Sequence, residues 1–165
     1  MYVQPKPDEP LSQGDIIDHC PIVFWERSPS GEIPGWECRQ LRVRVVVLTQ
    51  ACDLAQVKAT RVLVGLVYVA GSLVDQGVLK EATIRDHIHR HRVYGWYFLP
   101  AGGNLPESLV DLRDLHTVPR AILEQLAREG KRVCRIETPY REHLAQHFSV
   151  TYSRIGLPQP YETQE

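Results

Sequence analysis

Thr49, Gln50, Cys52 and Asp53 form the densest group of reactive side chains in the sequence, and they follow directly on Val45-Val46-Val47-Leu48. A thiol is a nucleophile only as a thiolate, so Cys52 needs a base or a cation beside it, which a histidine brought near by the fold could supply. Asp53 has another use. An aspartate at a strand end starts a turn by accepting from the next backbone N–H groups, and residues 54 to 58 could be the helical turn it caps. The group therefore reads in three ways: a structural cap, a ligand-binding corner made by Gln50, Cys52 and Asp53, or a nucleophilic site.

Two further sets of residues could do chemistry. Six of the seven histidines fall after residue 84. His87, His89 and His91 would share one side of an extended segment, while His143 and His147 stand on adjacent turns of a helix. Because Cys-x-x-Cys and His-Glu-x-x-His are both absent, these are read as structural histidines, and no metal and no cofactor is assigned. Arg85, Arg90 and Arg92 interleave with histidines and run into Tyr94, Trp96 and Tyr97, the mixture of cations and flat rings that holds single-stranded nucleic acid. Arg90, Arg92 and Trp96 are the binding candidates here. Alternation along a strand sets Tyr94, Trp96 and Phe98 on one face and Tyr97 on the other, so some of these rings must be core.

The elements that must position these groups are mostly strands. An unbroken apolar run such as residues 45 to 48 suits a strand covered on both faces. Gly14-Asp15-Ile16-Ile17 begins an earlier strand, and Ser28 to Gly35, rich in Pro, Gly and Ser, reads as a long exposed loop that returns to the sheet near Cys38 or Gln40. Arg61 to Ala70 pairs antiparallel with the buried strand, which puts Val45, Val47, Leu63 and Val67 in one core and Arg42 and Arg44 on one strand face. Leu73 to His91 carries a helical stripe weakened by Gly77. Tyr94 to Pro100 and Leu109 to Val118 read as strands, the second with one wet face.

A short helix has Pro119 in its first turn and stops at Gly130; a strand spans Arg132 to Glu137. The last helix has Thr138 as N-cap and Pro139 at its first position, runs to Gly156 and Pro158, and buries Tyr140, Leu144, Phe148, Thr151 and Ile155.

At 165 residues, 43% hydrophobic and 24% charged, the chain has the makings of one domain with a sizeable core. The expected division is a flexible arm over residues 1–11, a single domain over 12–158 and a tail over 159–165. A formal net charge of -1 argues against a protein that holds duplex nucleic acid by phosphate neutralisation alone. The charge is uneven, with 8 Lys/Arg against 10 Asp/Glu in residues 1–84 and 11 against 8 in residues 85–154. Four separated cysteines fit reduced thiols, and the absence of a signal-like start or an apolar span suggests a cytoplasmic protein with no membrane contact.

Three segments resemble the MazF/PemK-like family of SH3-like barrels, known chiefly as toxin endoribonucleases of bacterial toxin–antitoxin pairs. Gly14-Asp15-Ile16 is similar to the opening of that family's first strand, Val45-Val46-Val47-Leu48-Thr49 to its Val-rich strand after a long loop, and Leu112 to Leu123 to its late strand leading into a helix. The resemblance implies an α+β, mainly β fold: a five- or six-stranded SH3-like (MazF/PemK-like) barrel with a helical insertion and a C-terminal helix. Where the family has an Arg-Pro pair before the Val-rich strand, this chain has Val43-Arg44 with Arg42 one place displaced, and Tyr68 to Ala70 lacks the family's hydroxyl residue.

The expectation is a non-catalytic module that binds nucleic acid or a protein partner in a bacterial defence or toxin-type system. Its partners would be single-stranded RNA or DNA, a protein encoded nearby, or a second copy in a homodimer. The alternative is an active endoribonuclease in which Arg42 or Arg44 stabilises the phosphate and Thr49 or Asp53 moves a proton.

Overall fold

Seven antiparallel strands, in the order β1-β7-β2-β3-β4-β6-β5, make up most of the α+β fold in a computed structural model that describes residues 1–27, 35–56 and 58–153. The strands are β1 (Tyr2–Val3), β2 (Asp15–Arg27), β3 (Trp36–Val47), β4 (Arg61–Val69), β5 (Trp96–Leu99), β6 (Ser108–Pro119) and β7 (Arg132–Ile136). The helices are α1 (Ala51–Ala55), α2 (Ala70–Asp75), α3 (Glu81–Thr83), α4 (Arg120–Arg128) and α5 (Tyr140–Tyr152).

Strand β3 is buried as its sequence predicts. Val45, Val46 and Val47 have no exposed surface, because apolar clusters cover both faces of the sheet. The register differs from expectation by one residue. Val45 faces Leu66 and Val47 faces Val64, so Val62, Val64 and Leu66 join them in one cluster, while Leu63 and Val67 turn to the other with Val46 and Leu48. A strand apolar at every position carries no period-two signal, and nothing local in it decides which set faces which side.

The expected arm is strapped to the body. Tyr2 and Val3 pair with Ile136 and Arg135, the Tyr2 hydroxyl donates to the Pro100 carbonyl at 2.8 Å, and Leu11 is buried in the core. The two end strands of the sheet order thus meet at one corner. The predicted long helix over residues 73 to 91 is broken into α2, α3 and a π-helical turn (Ile84–Ile88), with Gly77 at a positive φ of 70° where α2 has ended.

β6 has the expected wet face only in its second half; residues 108 to 112 are buried on both sides. α4 begins at Arg120, so Pro119 is the last residue of β6 and stands before the helix rather than in its first turn; Gly130 takes a left-handed φ of 74° just beyond the end of α4. α5 begins after a cis Thr138–Pro139 bond, with Pro139 as the residue before the helix rather than its first, and Thr138 bonds the Glu142 carboxylate instead of capping a backbone N–H. Leu144 and His147 are its buried residues, whereas Tyr140 is exposed. The predicted Ser28 to Gly35 loop, save Gly35, and Ile155, the helix end at Gly156 and the 159–165 tail lie outside the described residues.

Candidate functional site

At the corner after β3, the Thr49 hydroxyl accepts the Leu63 N–H at 2.7 Å, tying the strand end to β4. Leu54 plugs into the core, and Arg120 donates to its carbonyl at 2.8 Å, so α1 is pinned from both sides. Cys52 and Asp53 are left facing solvent. The Cys52 thiol lies 3.5 Å from Gln50 Oε1 and 3.9 Å from Asp53 Oδ1, and among the described residues no histidine bonds it. Asp53 makes no side-chain cap: Gln50 occupies the cap position, and Asp53 accepts from Lys58 through its backbone carbonyl.

Arg42 and Arg44 do share a face, and both point to a bulge in β2. The pairing slips between Ile17 and Cys20, with His19 at a φ of 60°. Arg44 grips the Asp18 carboxylate with two nitrogens, Nη2 at 2.8 Å, and that hydrogen bond holds its pKa above the ordinary arginine value. Arg42 donates to the His19 carbonyl at 3.5 Å. No hydrogen bond or ion pair joins either arginine to Thr49 or Asp53 among the described residues, so the four catalytic candidates are not brought together.

The second candidate surface also comes apart. Arg90 and Arg92 are exposed, but Trp96 is only 4% exposed, and the Arg113 guanidinium lies 4.4 Å over its ring while bonded to Asp111. Trp96 and Phe98 pack in one cluster and Tyr97 in another, as alternation requires. Among the described residues no three His, Cys, Asp or Glu are arranged to hold a metal ion. All four cysteines are free thiols; burial raises Cys20 to about 11 and Cys134 to about 12.

Of that segment's rings only Tyr94 is exposed, and the two most exposed large apolar rings among the described residues are elsewhere. Beyond the bulge, β2 and β3 pair only with each other and leave the sheet as a two-stranded ribbon. Its register sets Arg42 opposite Pro21, Gln40 opposite Val23, Cys38 opposite Trp25 and Trp36 opposite Arg27, and all eight therefore lie on one face. Trp25 is 69% and Trp36 60% exposed. They are diagonal neighbours, about 7 to 8 Å apart between backbones and within reach of each other's rings. Arg27 flanks them at the tip and Arg42 at the base. The signal in the sequence was Ile22-Val23-Phe24-Trp25, apolar on both faces, leading into a Pro/Gly/Ser loop that only a projecting hairpin would carry. Compared with models of known protein families and with curated protein sequences, the chain matches none.

Proposed function

We propose that the protein is a non-catalytic binding module that takes single-stranded nucleic acid on the ribbon face of Trp25 and Trp36. Bases stack on the two indoles, and Arg27 and Arg42 meet the phosphates on either side. The exposure of both tryptophans on one face, between two arginines, carries this reading. An isolated surface tryptophan needs no explanation; two on a strip that projects from the body form an apolar patch with a use.

The lack of catalysis rests on groups already engaged. Arg44 is neutralised by Asp18, the Thr49 hydroxyl is held by the Leu63 N–H, and the exposed Cys52 thiol is turned to the neutral Gln50 amide, with the solvated Asp53 carboxylate farther off. Descent from MazF/PemK-like barrels, with its defence or toxin-type setting, is part of the proposal. It is supported by the three resembling segments, all of which fall in or beside the sheet, and by the meeting of its end strands at Tyr2 and Pro100.

Tryptophan fluorescence with a labelled single-stranded oligonucleotide tests this. Quenching is expected, with Trp25→Ala or Trp36→Ala each weakening binding by about 5- to 150-fold, the range of one stacking contact. Arg27→Ala and Arg42→Ala should each lower the salt slope by about 1. Binding unaffected by both tryptophan substitutions would overturn the assignment. RNA cleavage at a fixed motif, abolished by Arg42→Ala or Arg44→Ala, would establish the endoribonuclease instead.

A further inference from the structure

Three histidines from two separate parts of the chain meet where α5 lies against β5. His91 stands in the turn after the π-helical segment, at a left-handed φ of 55°. Its ring is edge-on to His143, with centroids 4.4 Å apart, and 5.7 Å from His147. His143 and His147 are one turn apart on α5. His147 Nε2 is 3.1 Å from the Tyr94 carbonyl, which only accepts, so that nitrogen carries its proton. His143 Nδ1 lies 3.3 Å from the Tyr97 hydroxyl, and His91 Nδ1 is buried with no hydrogen-bond partner.

The groups that face the three rings are Tyr97 from β5, the ring and carbonyl of Tyr94 from the segment before it, and His89 from the end of the π-helical turn. α5 itself contributes the Tyr140 carbonyl, which accepts from Tyr97. None of these is an acid, and burial pushes Tyr97 up to about 12, so it offers no negative charge. No negative charge in the seam favours a proton on any imidazole; only backbone carbonyls, that of Tyr94 first, do so at His147.

We propose that this cluster is an acid-sensitive latch: α5 stays docked while the imidazoles are neutral and lets go when they take up protons. Burial holds both His91 and His147 below the ordinary histidine value, with His143, His147 and His89 lowering His91 further; the bond to Tyr94 partly opposes the shift at His147. A histidine depressed in the folded state contributes nothing unfavourable above its ordinary value of about 6.5, and docking weakens as the pH falls from there toward the folded values. α5 has few other holds: Leu144, the half-buried Phe148, and hydrogen bonds from Thr151 to the Tyr94 carbonyl and from Tyr152 to the Leu112 carbonyl, both 2.6 Å. Charging His91 and His147 this close together sets like charges against a thin apolar anchor.

Hydrogen exchange of the full chain, corrected for the intrinsic pH dependence, reads the latch directly. Between about pH 7.5 and about pH 5.5, residues 140 to 152 should lose protection about tenfold or more relative to β4 and β6, the factor that one pH unit of histidine titration supplies. His91→Gln, shown to be folded by far-UV circular dichroism at the higher pH, should keep most of that protection in acid, while His87→Gln, outside the cluster, should behave as the unsubstituted chain does. Should His91→Gln fail to fold, ring titration of the unsubstituted protein by NMR decides: His91 and His147 titrating at or above the ordinary value would overturn the latch. So would a helix equally protected at both pH values, or a loss the same in His91→Gln as in His87→Gln.

Discussion

Replacing Asp15 with alanine should be among the most damaging single changes available to this fold. Asp15 has no exposed surface. Its carboxylate accepts from Arg135 at 2.6 and 3.0 Å and from the Ser12 N–H at 2.9 Å, and it lies 3.6 Å from Arg132 Nη1. Arg132 is itself buried, and two of its nitrogens already lack a hydrogen-bond partner. Burial lowers its pKa, and the neighbouring Arg135 lowers it further. Asp15→Ala leaves these two guanidiniums facing each other with only Glu9 and two backbone carbonyls for company.

Breaking a buried pair by removing one partner costs about 3 to 5 kcal/mol, a large part of the roughly 5 to 15 kcal/mol that holds a domain folded. With a urea slope of about 2 kcal/mol per M, the unfolding midpoint should fall by about 1.5 to 2.5 M. Far-UV circular dichroism in urea at neutral pH measures it. Asp15→Leu combined with Arg132→Leu should recover only part of the loss, since it removes the buried Arg132 charge but leaves Arg135 without that carboxylate. A midpoint shift below about 0.5 M for Asp15→Ala would refute the reasoning.

Gly103→Ala should loosen β1: at a φ of 57°, the added Cβ would stand 2.8 Å from Tyr2 Cβ and 3.2 Å from Cys134 Cβ, and a thermal melt should show a cost of about 1 to 3 kcal/mol. Cys52→Ser should change stability by no more than about 0.5 kcal/mol, because the thiol faces solvent. Mass spectrometry after alkylation of the folded protein near neutral pH should find label on Cys38 and Cys52 and none on Cys20 and Cys134.

Local signals located most of the elements. The apolar run of β3, the helix between Pro119 and Gly130, and the alternation of Trp96, Tyr97 and Phe98 each depend on a few adjacent residues, and each stands as read. What failed was non-local. The β3–β4 register depends on which of two buried faces takes which set of side chains, and a strand apolar throughout cannot say. The arm looked unstructured because its prolines forbid regular structure, yet Tyr2 finds an unpaired edge of β7 and a carbonyl at Pro100.

Which tryptophans are exposed was not legible for the same reason. Trp96 and Trp25 both sit in apolar strands, and only the departure of β2 and β3 from the sheet separates the buried ring from the exposed ones. No spacing rule joins His91 to His143 and His147 across half a hundred residues of intervening chain; that meeting is made by packing α5 against β5.

The Gly14-Asp15-Ile16 segment shows how a resemblance can rest on the needs of the fold. Gly14 takes a φ of 84°, and a Cβ there would stand 3.1 Å from the Ile136 carbonyl, so the position favours glycine where β7 approaches. Asp15 clamps Arg132 and Arg135 of that same strand, and Ile16 fills the cluster between the sheet and α5. All three residues join β2 to β7, and none reaches solvent with a group that could act on a ligand. A chain that kept this joint would keep the sheet whatever became of its active site. Of the two arginines beside the Val-rich strand, Arg44 is committed to Asp18 at the bulge where the ribbon leaves the sheet. Arg44 thus fixes the root of the ribbon, and Trp25 and Trp36 stand exposed at its far end.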